Sequence, residues 1–323
     1  NLGTGIEPER QFVFRNAGFG AVYHKNQTVY FLTEERILMK KKEERQRILI
    51  LGGSGFIGNA LYRELLSYFD VHCTYCQQHG AFSENQVFHN FCVEEDSMLL
   101  LLNRIQPTII VSAISGDFKN QFEAHKEIVN YALLNEGCSV IYISSAEVFD
   151  GKFAHPSYEN DTTISQTETG RLKISIEKLL LETIPSQTTI LRLPMVLGIN
   201  SPEVFHLRQC IRHQASFDVY PNLVITATTV NKVCQQIHYI INQSLRGIFH
   251  LASNDMVHHE DLFKEITLKM GAKMPIFKSV FNSNEDQYNA LLPKYSKLPK
   301  THQITVSQVI EECSLNEEII SIK

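Results

Sequence analysis

The sequence of 323 residues contains no apolar run near the roughly 18 residues that a membrane-spanning helix needs. It also lacks a strong excess of charge, since 30 basic and 35 acidic residues leave a formal net charge of -5. Such mild acidity provides no electrostatic basis for binding nucleic acid or an anionic membrane. No signal peptide is recognisable. These absences predict a cytoplasmic globular protein that has neither nucleic acid nor membrane among its partners.

Cysteine is too sparse and scattered to indicate a disulfide framework or a metal centre. The seven cysteines are odd in number, and several lie in apolar strand or helix patterns. Cys73 and Cys76 have the spacing of a redox or zinc motif, but no second pair accompanies them. The pattern predicts buried free thiols in a reducing cytosol, with the Cys73–Cys76 motif in a core strand and no bound metal.

The stretch Arg47–Gly58 has the strongest local signal in the chain. A short apolar run typical of a strand buried on both faces leads into Gly52, Gly55 and Gly58, and apolar residues at helical spacing follow. In a dinucleotide-binding turn the first glycine allows the tight exit from the strand, the second lets a pyrophosphate approach, and the third lets the helix pack closely. The stretch therefore predicts a strand, a glycine turn and a helix whose amino terminus binds phosphate.

Downstream, β-prone segments alternate with segments of helical periodicity, which predicts an α/β fold with a Rossmann-type doubly wound parallel sheet. Beyond Gly198 the alternation of strand and helix patterns gives way to longer loops and helices, which predicts a smaller C-terminal substrate lobe. The predicted domains are an NAD(P)-binding Rossmann domain over 46–195 and a substrate lobe over 196–323, with some strands returning to the sheet. The predicted strands are 71–75, 87–91, 108–113, 139–144 and 190–193, and the predicted helices between them include 95–105 and 120–136.

Residues 1–45 lie upstream of the nucleotide fold and contain β-prone runs that a turn at 24–27 would join into a hairpin. They are interpreted as an N-terminal β-rich extension, either a small appendage or the end of a preceding domain. The first residue is Asn1 rather than Met, which suggests a chain processed or cut from a longer polypeptide.

The end of the second predicted strand leaves the cofactor type open. In a dinucleotide fold this end meets the adenosine ribose, where an acidic residue favours NAD and an arginine favours NADP. The segment 74–79 reads Thr-Tyr-Cys-Gln-Gln-His and contains neither. NAD or NADP therefore remains an open choice.

Several motifs are typical of one family of enzymes. The segment Ile143–Gly151 reads Ile-Ser-Ser-Ala-Glu-Val-Phe-Asp-Gly, and together with the glycine turn it resembles the extended short-chain dehydrogenase/reductases. Within that family it is most similar to the branch of dTDP-4-dehydrorhamnose reductase, which includes the regulatory β subunit of methionine adenosyltransferase. The other matching motifs are Pro156-x-Tyr158-Glu159-x-Asp161, Gly170-x-x-Lys173, Leu191-Arg192-x-Pro194-x-x-x-Gly198 and Gly247-Ile248-Phe249-His250-Leu251, with a weak echo at 292–298.

The resemblance implies hydride transfer between NAD(P)H and the carbonyl of a nucleotide-linked sugar. In the family a tyrosine protonates the carbonyl oxygen, a lysine four residues later lowers the tyrosine pKa, and a serine or threonine hydroxyl binds the carbonyl. In this chain Ser145 matches the hydroxyl and Lys173 matches the lysine, but Thr169 stands at the tyrosine position. Because an aliphatic hydroxyl has a pKa far above the ~10 of a phenol, we expect Thr169 to be a poor acid at neutral pH.

Other departures from the family pattern also indicate weakened reductase chemistry. Ala146 and Glu147 replace an Asp-Tyr pair, Phe122 stands near the position of a helix asparagine, and Lys232 replaces a carboxylate. Two hypotheses follow. The first is a nucleotide-binding regulatory or structural subunit with weakened or lost reductase chemistry. The second is an active reductase or epimerase that uses a different acid, for which Glu147 is the candidate.

The implied partners are a nucleotide-sugar ligand and either a partner protein or a second copy of the chain. The catalytic candidates are Ser145, Lys173, Thr169 and Glu147. The residues expected to bind the cofactor are Gly52, Ser54, Gly55, Phe56, Ile57, Gly58, Ala113 and Lys173.

Overall fold

The structure, a computed structural model, describes residues 19–21, 31–33, 46–77, 79–295 and 298–315, with only the backbone of His79 and Ala81. The chain divides between residues 45 and 46 into two units. The first contains strands β1 (Phe19–Ala21) and β2 (Phe31–Thr33), which pair antiparallel with Phe19 opposite Thr33. Strand β2 begins at Phe31, which ends one of the β-prone runs, and the predicted turn at 24–27 lies outside the described residues. The extension as a whole remains a prediction.

The second unit contains the predicted alternation of strands and helices. Its strands are β3 (Arg47–Leu51), β4 (Asp70–Tyr75), β5 (Phe88–Asn90), β6 (Ile109–Ser112), β7 (Ser139–Ser145), β8 (Thr188–Leu193), β9 (Met195–Leu197), β10 (Ser216–Val219), β11 (Leu223–Ile225), β12 (Ala227–Thr229), β13 (Gly247–His250), β14 (Val257–His258), β15 (Ile276–Ser279) and β16 (Gln287–Asn289). Its helices are α1 (Phe56–Leu65), α2 (His79–Phe82), α3 (Met98–Ile105), α4 (Phe118–Leu134), α5 (Glu168–Thr183), α6 (Pro202–His213), α7 (Val230–Asn242), α8 (His259–Lys269) and α9 (Val306–Cys313).

Seven strands form one parallel sheet in the order β13-β8-β7-β6-β3-β4-β5. The strand order reverses beside β3, because the chain first builds outward through β4 and β5 and then returns to place β6 on the other side. This reversal confirms the predicted doubly wound Rossmann-type sheet. Ligands of such sheets bind in the crevice at the carboxyl ends of the strands, where the order reverses.

Hydrophobic burial on both faces of the sheet explains why the apolar run at its centre forms a strand. Ile48 and Ile50 pack in the cluster that includes α1 and α7, whereas Leu49 and Leu51 pack in the cluster that includes α3, α4 and α5. All four side chains are fully buried, and burying each contributes about 1.5–3 kcal/mol. The central strand is therefore held from both sides.

The chain beyond β8 builds a third buried cluster from α6, α8, α9 and short strands. Those strands form the pairs β10-β15 and β12-β9 and the three-stranded sheet β14-β11-β16. Strand β13 returns to the main sheet, where it pairs with β8, and α7 packs on that sheet. The division of this unit into domains at 195 and 196 remains a prediction.

The prediction that all cysteines are free thiols is wrong for two of them. Cys76 and Cys92 form a disulfide with their Cα atoms 4.9 Å apart. The bridge joins residues just beyond the carboxyl ends of β4 and β5, which are neighbouring strands, so the pairing depends on the sheet and not on sequence spacing. The other five cysteines are free and buried. Cys73 lies in a core strand as predicted, whereas Cys76 falls just beyond the end of that strand.

Neither a membrane segment nor a metal centre is found in the part of the chain that the structure describes. There, no helix combines the length and the apolar character needed to cross a membrane, and no three His, Cys, Asp or Glu side chains converge as metal ligands.

The substitution Gly58→Ala should destabilise the fold, because a Cβ atom at residue 58 would collide with the carbonyl oxygen of Gly52. Overpacking of this kind costs about 1–3 kcal/mol, and here the obstacle is rigid backbone. Chemical denaturation should show this loss in the free energy of unfolding. The matched change Gly137→Ala meets no atom within 4 Å and should be nearly neutral. Equal stability of the two variants would contradict this account of the turn.

Candidate functional site

The glycine turn between β3 and α1 is shaped by close backbone contacts. Gly52 has a φ of +82°, and a Cβ atom there would lie 2.5 Å from the carbonyl oxygen of Ala113, which follows β6. The Gly52 N–H donates to Thr74 Oγ1 of β4 at 2.9 Å. Gly53 has no room for a side chain either, since a Cβ atom added there would lie 2.5 Å from the Cβ atom of Cys73. The turn is thus wedged between the ends of β4 and β6.

The amino terminus of α1 is open above this turn. Its N-cap is Gly55, which has an extended backbone and provides no side-chain cap. A Cβ at Gly55 would approach only the carbonyl oxygen of Gly52, at 3.3 Å. The first-turn N–H groups of a helix have no intrahelical acceptor, and they attract anions together with the helix dipole. This end of the helix therefore suits phosphate oxygens. Gly52 and Gly58 have a different role, because any larger residue there would collide with the backbone.

A cavity of about 910 Å³ opens beside the turn. Ser54, Gly55 and Phe56 line it, as does Phe82 of α2. The catalytic candidates on β7 and α5 are not among its lining residues. The cavity therefore adjoins the predicted phosphate position but not the predicted reaction centre.

Ser145 and Glu147 meet at the carboxyl end of β7. Ser145 Oγ donates to Glu147 Oε2 at 3.0 Å, and Glu147 lies in the 3-10 helix Ala146–Phe149. Gly170 allows α5 to approach this segment, because a Cβ there would collide with the Glu147 carbonyl oxygen and with Ser165 Oγ. β3 and β7 lie on either side of β6, so two strand spacings separate Ser145 from the glycine turn by about 10 Å.

Thr169 and Lys173 lie one turn apart on α5, as predicted. Both side chains are partly buried. Burial lowers the pKa of Lys173 below its ordinary value, and the nearby carboxylates of Glu147 and Glu177 offset only part of this effect. The lysine thus lies in a partly dehydrated position close to Glu147.

Asp150 fixes the start of α5. Its carboxylate accepts hydrogen bonds from Thr167 Oγ1 and from the Gln166 N–H, each at 2.5 Å. Thr167 is the N-cap and accepts from the Gly170 N–H at 3.1 Å. Burial raises the pKa of Asp150, but these hydrogen bonds outweigh it and lower the pKa overall. The Asp-Gly end of the 143–151 motif is therefore an anchor for the helix that carries Lys173.

A buried ion pair fixes the rest of the helix. Arg192 of β8 donates from Nη2 to Glu177 Oε2 at 2.7 Å and from Nε to both carboxylate oxygens, at 3.1 and 3.2 Å. The two side chains are only 3% and 4% exposed. Ser144 Oγ of β7 also donates to Glu177, at 2.5 Å, and Arg192 Nη1 donates to the Glu159 carbonyl at 3.1 Å. This network joins β7, β8, α5 and the loop at 159, one turn beyond Lys173.

Two of the positions where the chain departs from the family have structural partners. Phe122 is half-buried against the core, with Lys126 Nζ 5.2 Å from its ring centroid. Lys232 Nζ donates to the Thr301 carbonyl oxygen at 3.3 Å. Each of these side chains thus has a structural contact near its place in the fold.

The predicted residues form two groups along one edge of the sheet. Gly52, Ser54, Gly55, Phe56, Ile57, Gly58 and Ala113 surround the turn, and Ser145, Glu147, Thr169 and Lys173 surround the end of β7. The structure brings Ser145 to Glu147 directly. The roles of the two groups in binding and catalysis remain predictions.

The residues that support the site could not be identified from the sequence. Thr74, Asp150 and Glu177 all act through hydrogen bonds to residues distant in sequence. One signal was available: Arg192 interrupts an apolar strand, and a charge in a strand buried on both faces requires a buried partner. The identity of that partner required the fold.

A family model described as the RmlD substrate binding domain matches residues 46–319. Methionine adenosyltransferase 2 subunit beta of Mus musculus is 25% identical over an alignment of 252 residues, and the match covers 70% of this chain and 71% of that protein. The family match confirms the resemblance inferred from the motifs.

Solved structures show the same fold. The dTDP-4-dehydrorhamnose reductase of Bacillus anthracis, in complex with NADP, has a TM-score of 0.68 at 16% identity, covering 83% of this chain and 96% of that one. The enzyme WbmH of Bordetella bronchiseptica, in complex with NAD+, has a TM-score of 0.68 at 15% identity with the same coverage. Identities this low support the fold alone.

Breaking the buried ion pair should strongly destabilise the protein. The substitution Glu177→Ala leaves the Arg192 guanidinium buried without its counter-charge, which typically costs about 3–5 kcal/mol. Denaturant unfolding monitored by circular dichroism measures this loss. Glu182→Ala, on the same helix, removes an exposed carboxylate 3.8 Å from Lys178 and should change stability by less than about 1 kcal/mol. Similar losses in both variants would show that the pair does not organise this region.

Proposed function

The chain belongs to the RmlD substrate binding domain family, whose model matches residues 46–319, and on that premise we propose a nicotinamide-dinucleotide-binding protein. In this proposal a nucleotide-linked sugar occupies the cleft beside the dinucleotide, and reductase chemistry is weakened or lost. The observation that carries the proposal is Lys173 with Thr169 one turn earlier on α5. The chain keeps the lysine of the family pattern and has an alcohol in place of its acid.

The chain's own groups fit a dinucleotide. The open amino terminus of α1 offers N–H groups to its phosphates, and Gly55 leaves room above that end. Lys173 would hold the nicotinamide ribose, and Ser145 would hydrogen-bond the sugar. The bound dinucleotide would supply the hydride. The related structures hold NADP in one case and NAD+ in the other, which supports nicotinamide dinucleotides in general.

The missing acid sets the expected rate. Proton transfer from a positioned acid contributes typically about 10²–10⁴-fold to a rate. Thr169 presents an aliphatic hydroxyl that does not release a proton near neutral pH. The phenol of Tyr142 does not replace it, because Tyr142 is buried in β7 and burial raises its pKa. A slow or absent reduction follows from these groups.

The comparison with a curated relative supports a role as a subunit. The mouse relative is named as a subunit of methionine adenosyltransferase 2. A fold that binds a dinucleotide but turns it over poorly suits a regulatory or structural component of an assembly. We propose that the chain acts in this way, either with a partner protein or as a homodimer.

A second candidate function keeps the enzyme active. Glu147 Oε2 accepts a hydrogen bond from Ser145 Oγ at 3.0 Å, and the Glu147 carboxylate lies close to Lys173. A carboxyl group in that place could protonate a sugar oxygen instead of the missing phenol. This candidate predicts a reductase or epimerase whose activity is lost in Glu147→Gln.

The substitution Gly55→Val should abolish binding of NAD(P)H and leave the protein folded. The Gly55 backbone is extended, as a branched residue prefers, and a Cβ there would meet only the Gly52 carbonyl oxygen, at a tight 3.3 Å that a shift of a few tenths of an ångström relieves. The valine side chain would cover the amino terminus of α1. Calorimetric titration with NADH and NADPH measures the loss, and Gly137→Val, at an open position outside the turn, is the control. An unchanged dissociation constant in Gly55→Val would refute the cofactor assignment.

The substitution Thr169→Tyr should raise hydride transfer by about 10²-fold or more, because it restores a phenol one turn before Lys173. Single-turnover oxidation of NADPH with a panel of 4-keto sugar nucleotides measures this. The control is Ser175→Tyr, an exposed position on α5, which should leave the rate unchanged.

Fast turnover by the parent protein that survives Lys173→Ala would contradict the degenerate site. The rates of Glu147→Gln would then test the second candidate. Dinucleotide binding without turnover in any variant would favour a regulatory role.

A further inference from the structure

We propose that Cys76 and Cys92 form a reversible thiol–disulfide site that reacts with low-molecular-weight disulfides of the glutathione class. We further propose that its oxidation state sets the affinity of the neighbouring dinucleotide site. This second part rests on the proposed function. Four features of the structure lead to the proposal: where the bridge lies, which thiols are accessible, what the bridge encloses and what lies next to it.

The bridge extends the edge of the sheet where ligands are expected. Tyr75 is paired with Asn90 at the last rung between β4 and β5, and the Phe91 N–H then donates to the Tyr75 carbonyl at 2.9 Å. Cys76 and Cys92 follow immediately, with Cα atoms 4.9 Å apart. The disulfide therefore joins two parallel strands just past their carboxyl ends, on the side of β3 where the adenosine half of a dinucleotide binds.

The remaining cysteines are poorly suited to thiol exchange. All five are buried. Burial raises the pKa of Cys138, Cys234 and Cys313 to about 12, so their reactive thiolate forms are scarce at neutral pH. Cys76 and Cys92 are only half-buried. Small disulfides and thiols can therefore reach this pair in preference to the rest.

The strand end that carries the bridge contacts the glycine turn directly. Thr74, two residues before Cys76, accepts the Gly52 N–H at 2.9 Å. Cys73 lies against Gly53, because a Cβ atom built on Gly53 would be 2.5 Å from the Cβ atom of Cys73. The end of β4 thus supports the first half of the turn, and a change at Cys76 acts on the same strand end.

The bridge also closes the segment that contributes to the cavity. Cys76 and Cys92 are 16 residues apart, and Phe82, which lines the 910 Å³ cavity, lies between them. Closing the loop restricts the positions open to this wall of the cavity. Because a preorganised site loses less conformational entropy on binding, we expect the bridged form to bind the dinucleotide more tightly.

The chemistry balances as a thiol–disulfide exchange. A thiolate of the pair attacks one sulfur of the small disulfide, forming a mixed disulfide and expelling one small thiolate. The second cysteine, after losing its proton, attacks the protein sulfur of that mixed disulfide and expels the second. Two protein thiols are oxidised to one disulfide, and one small disulfide is reduced to two thiols, which take up the two protons.

The test equilibrates the full chain in buffers of increasing ratio of glutathione disulfide to glutathione. Alkylation and mass spectrometry count the free thiols, and calorimetry measures NADPH affinity in the same samples. We expect two thiols, at Cys76 and Cys92, to disappear together, with a dissociation constant at least threefold lower in the bridged form. The double variant with Cys76→Ser and Cys92→Ser should bind like the reduced parent at every ratio, and Cys210→Ser should respond like the parent.

Three outcomes would overturn parts of this account. A thiol count that does not depend on the ratio would refute the reversible site. A bridge that forms while the NADPH affinity stays equal would refute the coupling and leave the proposed function intact. Absence of NADPH binding in every state would refute the proposed function and the coupling together, while the thiol count would still decide the disulfide.

Discussion

The buried contact between Arg192 and Glu177 is the interaction on which the candidate reaction centre depends. The Arg192 guanidinium near the end of β8 is removed from water, and the Glu177 carboxylate of α5 balances its charge. Glu177 also accepts a hydrogen bond from the Ser144 hydroxyl on β7. Because an unpaired buried charge is so costly, α5 has little freedom to turn or slide against the two strands. Asp150 holds the first turn of the same helix through Thr167. Between these two anchors, Lys173 is presented to the end of β7.

Close backbone packing fixes the glycine turn between β3 and α1, at the other end of the site. Gly52 and Gly58 are required because the backbone is already in contact there, whereas Gly55 lies at an open helix end. The sheet brings both regions to one edge, with β6 between them. Binding and chemistry can therefore be lost separately: the phosphate end needs only backbone N–H groups, whereas hydride transfer also needs an acid. A chain with Thr169 before Lys173 can keep the first function and lose the second.

The sequence predicted the features that are set by local periodicity. The strand over 48–51, the glycine turn, the parallel sheet and the helix with Thr169 and Lys173 follow from apolar spacing and motif residues. What it failed to predict depends on contacts between distant segments. The Cys76–Cys92 bridge contradicted the expected free thiols, because nothing in the spacing of the two residues shows that β4 and β5 are neighbours. The partner of Arg192 was hidden for the same reason. The Ser145–Glu147 hydrogen bond required the 3-10 turn that follows β7.

The most direct test of the account is a crystal structure of the chain grown with NADPH. The account predicts the pyrophosphate against the first turn of α1, next to Gly55, and the nicotinamide ribose within hydrogen-bond distance of Lys173. The adenosine half should lie toward the Cys76–Cys92 bridge. A dinucleotide bound away from the glycine turn, or a nicotinamide ring on the far side of α1 from Lys173, would contradict it.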